Sequence, residues 1–304
     1  MITRREFGTM TVGALAFSRI ASAQVVGGVR LGAQTYSFRE LPRVNGDAID
    51  PLIAAMKECG ITECELFAPQ VEPQFNSGAR GRRGAPPSPE ELKAREDLRK
   101  WRLETPLDHF RNVKKKFDAA GITIYAYNYS PNAAFSDEEI ARGFEMTRAL
   151  GAGVITASTT VDVAKRIAPH ADRHQMVVAM HGHSNVTDPN EFATPASFAA
   201  AMKMSKYFKV NLDIGHFTAA NFDALAYMRE HHADITNLHL KDRKKNQGDN
   251  VAWGSGDTPI RDVLQLLKKE RWPIRAYIEY EHKGEAGAID EVKKCYAFAK
   301  NALA

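Results

Sequence analysis

From Val29 onward the chain alternates between two hydrophobic rhythms. Short apolar runs fall at Val29–Tyr36, Ile61–Phe67, Ile122–Tyr127, Gly153–Ala157, Met176–His181, Lys209–Ile214, Ile235–Leu240 and Ile274–Tyr280. Runs this brief, nearly continuous and rich in aliphatic side chains predict strands buried on both faces. Between and after them, apolar positions recur at helical spacing. Those segments are Asp47–Glu58, Leu107–Ala120 (Phe110, Val113 and Phe117 on one face), Val161–Ala171, Thr194–Lys206, Ala220–His232 and Ala288–Ala302. A capping box at Ser136–Glu139 opens another helix, and Ile260, Val263, Leu264 and Leu267 form the stripe of one more. Strands and helices in strict alternation predict an α/β fold, a closed parallel (β/α)8 TIM barrel rather than an open sheet. One stretch breaks the rhythm. Residues 70–102 contain GARGRRGAPPSPEE, with no apolar period, and predict an irregular insertion after the second strand. There it would lie on the face where barrel active sites sit, either as a plain surface loop or as a cover whose arginines meet an anionic or polyhydroxylated ligand. In the second case Trp101 would anchor it where the helical pattern resumes.

Four of the strand-like runs finish on metal-ligand residue types: VVAMHGH (177–183), VNLDIGH (210–216), ITNLHLKD (235–242) and RAYIEYEH (275–282). Residues i and i+2 of a strand share a face, so each run aims one donor at the barrel mouth. His181, Asp213, His239 and Glu279 are therefore expected to surround one divalent metal. Two imidazoles and two carboxylates suit Mn²⁺ foremost, with Co²⁺, Fe²⁺ or Zn²⁺ as alternatives, and suit Ca²⁺ poorly.

The same runs supply candidates for the chemistry. Glu281 shares a face with Glu279, and either is placed to act as a base. His216 and Lys241 are expected to steady a developing oxyanion. Gln34, Tyr36 and Glu65 at the first strand ends, with Tyr127 and Asn128 as weaker candidates, would hydrogen-bond substrate hydroxyls. His183 is expected beside the metal and against the substrate, and Trp253 of WGSGD against an apolar face of the substrate. No GxGxxG or Walker pattern opens a helix, so no nucleotide cofactor is expected. No obvious phosphate cradle is present, which disfavours a phosphorylated substrate.

The N-terminus adds an address. Arg4-Arg5-Glu6-Phe7, a weakly apolar stretch and Ala21-Ser22-Ala23 predict a twin-arginine export leader over residues 1–23, with the barrel on residues 24–304 in the periplasm. The apolar part is too short to span a bilayer core of roughly 30 Å. A formal charge of +4 drops to +2 once Arg4, Arg5, Arg19 and Glu6 leave with the leader. That balance provides no electrostatic case for nucleic acid. Cys59, Cys64 and Cys295 are odd in number, so buried free thiols are expected and Cys59–Cys64 is the one pair considered.

GAQTYSF, ECELF, VNLDIGH, NLHLKDR, WGSGDTPI and YIEYE together resemble the sugar isomerase/epimerase superfamily with the xylose isomerase-like barrel, to which tagatose 3-epimerases and inosose dehydratases belong. The resemblance covers most of the chain after the leader. It implies that Asp213, His239 and Glu279 bind metal and that His216 touches a substrate oxygen. The chain departs from the pattern at the fifth strand, where the epimerases usually place a second metal-bound glutamate and this sequence reads AMHGH, with His181 in its place. Symmetric exchange of a proton between two carboxylates is not expected here. Three readings stand: an isomerase or epimerase of a ketose-like sugar, a lyase that eliminates a β-leaving group from a keto-sugar or 3-keto-glycoside, and a sugar-binding protein without catalysis. Product mass separates the first two. A small-molecule sugar is the expected partner, and self-association is left open.

Overall fold

Each βα unit contributes one strand to the inside and one helix to the outside of a closed ring. The computed structural model describes residues 25–76 and 86–304; the expected leader and the centre of the glycine- and arginine-rich run lie outside the described residues. A two-residue strand, β1 (Val25–Val26), folds back antiparallel on β2 (Val29–Gln34) and covers the base of the barrel. The ring continues through β3 (Glu63–Phe67), β4 (Thr123–Asn128), β5 (Val154–Ala157), β6 (Val177–His181), β7 (Phe208–Asp213), β8 (Ile235–Leu240) and β9 (Arg275–Ile278). All pair in parallel with their neighbours, and β9 closes on β2 with Leu31 opposite Ala276. Every expected strand is present, within a few residues of its expected bounds.

The outer helices are α1 (Ile49–Cys59), α4 (Asp108–Ala119), α5 (Asp137–Ala149), α6 (Val161–His174), α7 (Pro195–Met202), α9 (Ala224–His231), α10 (Ile260–Glu270) and α11 (Ala288–Leu303), with α3 (Pro89–Glu104) and the short α2 (Ala68–Val71) and α8 (Ile214–Ala219) between them. Their apolar faces pack on the sheet; Phe110, Phe117, Val263 and Leu264 are fully buried. Two expectations are corrected. The segment expected to be irregular holds the sixteen-residue helix α3, capped by Ser88 and Glu91 with Pro89 in the first turn. It has no apolar stripe because its one buried residue is Arg102. The expected helix Ala220–His232 is broken: Asn221 at φ 65° ends α8, and the Asp223 side chain caps the start of α9. Trp101 does anchor α3, edge-on to His109 and Phe110 at 5.4 and 5.9 Å. All three cysteines are free and buried, so Cys59 and Cys64 form no disulfide.

Inside the ring the base and the mouth differ. At the base, Glu63 takes hydrogen bonds from Arg275 and Tyr277. Gly32 makes room for this crossing, since a Cβ there would meet the Tyr277 ring at 2.6 Å. Halfway up, the buried carboxylate of Glu65 gathers Gln34, Asn128, Thr156, Asn237 and His239 around it. A buried charge needs such donors to offset its lost hydration. This network forms the floor of the mouth. No described helix is long and apolar enough to cross a membrane.

Candidate metal centre

His181 and Asp213 are the last residues of β6 and β7, His239 is the penultimate residue of β8, and Glu279 follows β9. Parallel pairing with Asp213 opposite His239, and the Glu279 N–H donating to Leu240 O at 3.0 Å, brings them level. One donor atom from each lies within 4.8 Å of all the others, and all four residues are buried.

The atoms these residues use elsewhere are as telling. Asp213 Oδ1 caps the following helix by accepting the His216 N–H at 2.8 Å. His239 Nε2 lies 2.9 Å from Glu65 Oε2. What remains faces inward: His239 Nδ1 lies 3.2 Å from Glu279 Oε2 and His181 Nε2 3.4 Å from Asp213 Oδ2, all of them buried. Buried nitrogen and carboxylate oxygen atoms held this close need a proton or a cation between them. A divalent cation that accepts nitrogen and oxygen together fits the set. Glu65 behind His239 supplies the outer partner that orients a ligand imidazole.

Lys241, almost wholly buried, is the fixed cation of the mouth. Its Nζ lies 2.9 Å from Asp213 Oδ2 and 2.7 Å from Glu279 Oε2, and it also pairs with Glu281. Burial opposes its charge, but these three carboxylates hold it well above the usual lysine value. In turn Asp213, despite burial, is held well below the carboxylate range by Lys241. Three ammonium hydrogens match three carboxylates. Lys241 thus sets the charge on the acids, and it also lines the cavity above them.

His216 takes the opposite part. Two obligate donors face it, Arg243 at 2.7 Å from Nδ1 and the Lys241 ammonium at 3.3 Å from Nε2; the closer contact assigns the acceptor to Nδ1 and the ring hydrogen to Nε2. Burial, then Lys241 nearby, keeps the ring neutral by holding its pKa well below the ordinary value. The site thus contains a fixed N–H donor.

Above the four donors opens a cavity of about 270 Å³ whose walls include Gln34, Tyr36, Phe67, His183, His216 and Glu281. Two expected sugar contacts are elsewhere. Glu65 lies beneath the donors with its oxygens engaged by the protein. Trp253 stands edge-on to Phe298 of α11 at 5.7 Å, outside the cavity wall, because the buried Asp242 carboxylate draws in Gly254 N and Gly256 N and turns the loop that way. Tyr127 is fully buried and stacks on Tyr129, and Asn128 faces the cavity while bonded to Glu65 and Thr156. Sequence reading missed Asn211 and Asn237, whose period-two spacing to Asp213 and His239 marks them, and Arg243, the last residue of the NLHLKDR run.

Burial alone would lower the pKa of His239, but Glu65 and Glu279 raise it well above the imidazole value. Without a cation the ring is therefore protonated at neutral pH, and a cation must displace that hydrogen. Binding of Mn²⁺ is expected to release protons and to tighten as pH rises through the raised pKa of His239. Titration calorimetry in two buffers of different ionisation enthalpy measures this; equal heats in both would contradict it.

Known structures share this frame. The IolI protein with a bound zinc atom superposes at a TM-score of 0.61 and 13% identity, over 90% of this chain and 97% of that one. The probable 3-DHS dehydratase AsbF of Bacillus anthracis gives 0.60 at 14% identity, over 88% and 98%. A sugar phosphate isomerase/epimerase of Parabacteroides distasonis gives 0.58 at 18% identity, over 88% and 94%. At such identities the likeness is one of fold. The chain has no match among curated proteins. The family model described as xylose isomerase-like TIM barrel matches residues 53–298, most of the chain, and to that family the chain belongs.

Proposed function

We propose that the barrel mouth is the active site of a metal-dependent sugar isomerase or epimerase that removes the proton beside a substrate carbonyl. The convergence of one buried donor atom from each of His181, Asp213, His239 and Glu279, all within 4.8 Å of one another, carries this reading. Mn²⁺ is the cation we favour, and bound there it would supply Lewis acidity that makes the neighbouring C–H easier to break. The chain's own groups do the rest. Glu281, at the cavity wall with a fifth of its side chain exposed, takes the proton. The His216 Nε2–H donates to the substrate oxygen on which charge gathers. Gln34 and Tyr36 orient the sugar from the first strand.

A second reading, elimination of a β-leaving group from a keto-sugar or 3-keto-glycoside, has one observation in its favour. The β6 wall presents His181 and His183, whereas Glu279 and Glu281 line the cavity on the β9 side, so unlike groups flank the substrate. Mass spectrometry of products from the Mn²⁺-loaded protein decides: isomerisation conserves mass, and elimination splits or dehydrates the substrate. A sugar bound equally well with and without metal, and never converted, would sink both.

Glu281→Gln is expected to lower kcat about 10²–10⁴-fold, the usual worth of a general base, while metal content stays near wild type. Unchanged turnover would return Glu281 to a partner of Lys241 alone. We also propose that the barrel works in the periplasm after twin-arginine export. Arg4→Lys together with Arg5→Lys should trap the protein in the cytoplasm on cell fractionation, and export of that variant would refute the address.

A further inference from the structure

Past the ends of β5 and β6 the cavity wall carries a relay of three side chains that the roles above leave unused. Ser158, the residue after β5, places Oγ 2.9 Å from His183 Nε2. The other ring nitrogen of His183 lies 3.2 Å from Glu191 Oε2. Backbone bonds fix the frame. The His183 N–H donates to Phe192 O at 2.8 Å, the Val161 N–H to Asn190 O at 2.8 Å, and Thr160 bridges to Glu191. The Ser158 N–H in turn donates to Ser130 Oγ at 3.0 Å.

A carboxylate only accepts, so a ring hydrogen of His183 stands on Nδ1 toward Glu191, and Nε2 holds the Ser158 hydroxyl. Ser158 lines the cavity, and a hydroxyl oxygen with two lone pairs keeps hydrogen-bonding capacity beyond its bond to one ring nitrogen. The rings of His183 and His216 stand 5.3 Å apart, centroid to centroid, in the same cavity. In the order of the ring, β5 stands directly across from β9, the strand that leads to Glu279 and Glu281.

We propose that Ser158 determines specificity: its oxygen takes the hydrogen of an unsubstituted sugar hydroxyl on the edge of the substrate away from the β9 carboxylates, while His216 meets the carbonyl oxygen. His183 and Glu191 are positioning residues that act through Ser158. The proposal rests on the sugar reading above and narrows it to keto-sugars with a free hydroxyl at that edge.

The test uses the Mn²⁺-loaded protein with D-fructose, D-tagatose and methyl 3-keto-glucoside as probes, each beside its monodeoxy analogues. Ser158→Ala is expected to weaken the parent sugar about 10–100-fold, the cost of leaving a buried polar group unpaired, with metal content unchanged. One deoxy analogue, the one lacking the partnered hydroxyl, should bind wild type and Ser158→Ala alike. Ser158→Thr, which keeps the hydroxyl, should retain affinity for the parent. Glu191→Ala should raise KM with kcat kept, the mark of lost uniform binding rather than lost chemistry. If Ser158→Ala weakens every analogue equally, or none, with metal intact, this proposal falls and the sugar reading survives. If the metal-loaded wild type binds none of these ketoses, both fall together.

Discussion

Asp213→Ala loses its metal and its turnover together. Asp213 does two jobs at once: Oδ1 caps α8 through the His216 N–H, and Oδ2 is one of the converging donor atoms and a partner of Lys241. Alanine removes a ligand, unfastens the segment carrying His216, and leaves Lys241 short of an anion. The fall in metal affinity should exceed the roughly 10–100-fold that loss of an outer partner costs. Glu65→Gln provides that comparison, because it weakens the carboxylate behind His239 without touching a donor atom. Metal analysis after dialysis, paired with assays at saturating Mn²⁺, measures both. Asp213→Ala protein with full occupancy and wild-type turnover would end the assignment.

The second large effect is on stability and lies outside the ring. Arg102 donates from Nε to Glu72 Oε1 at 2.7 Å and from a terminal nitrogen to Glu72 Oε2 at 2.9 Å, a bidentate pair, and reaches Glu139 Oε1 at 3.2 Å. Its guanidinium also lies over the Phe135 ring at 4.4 Å. Glu72 and Glu139 are 2% and 3% exposed. The three groups tie α3, the segment after β3 and the first turn of α5 into one unit. Arg102→Met strands the buried Glu72 carboxylate, while Glu139 keeps Arg99 and the Ser136 N–H, and is expected to cost about 3–5 kcal/mol. Adding Glu72→Leu should restore part of that loss, since it removes a buried charge that no longer has its partner. Urea unfolding of the single and double variants tests both signs. A single variant within about 0.5 kcal/mol of wild type would show that water reaches this cluster freely.

The stabilities differ in kind from the site effects because they act on different parts of the barrel. Arg102 holds an outer helix in place, and Asp213 holds atoms at the end of a strand. Loosening α3 should lower the unfolding midpoint while leaving metal affinity nearly unchanged, so the two sets of variants check one another.

Periodicity by itself determined the strands, most of the helices and the ring they form, because a buried strand and an amphipathic helix each write their period into the chain. It also determined which side chains stand at the ends of β6 to β9, and so the four residues that the fold brings together as a candidate metal set. Tertiary structure decided what periodicity does not encode. Helix α3 buries an arginine rather than an apolar stripe, so its charged sequence reads as loop. Glu65 looks like a residue at the rim, but neighbouring strands aim five side chains at it and it becomes the floor. Trp253 looks like a sugar platform until Asp242 turns its loop away. Which nitrogen of His216 carries the hydrogen depends on Arg243, and the order of Ser158, His183 and Glu191 depends on two loops meeting. Hydrogen-bond direction is a property of partners brought together from distant segments, and no spacing along the chain records it.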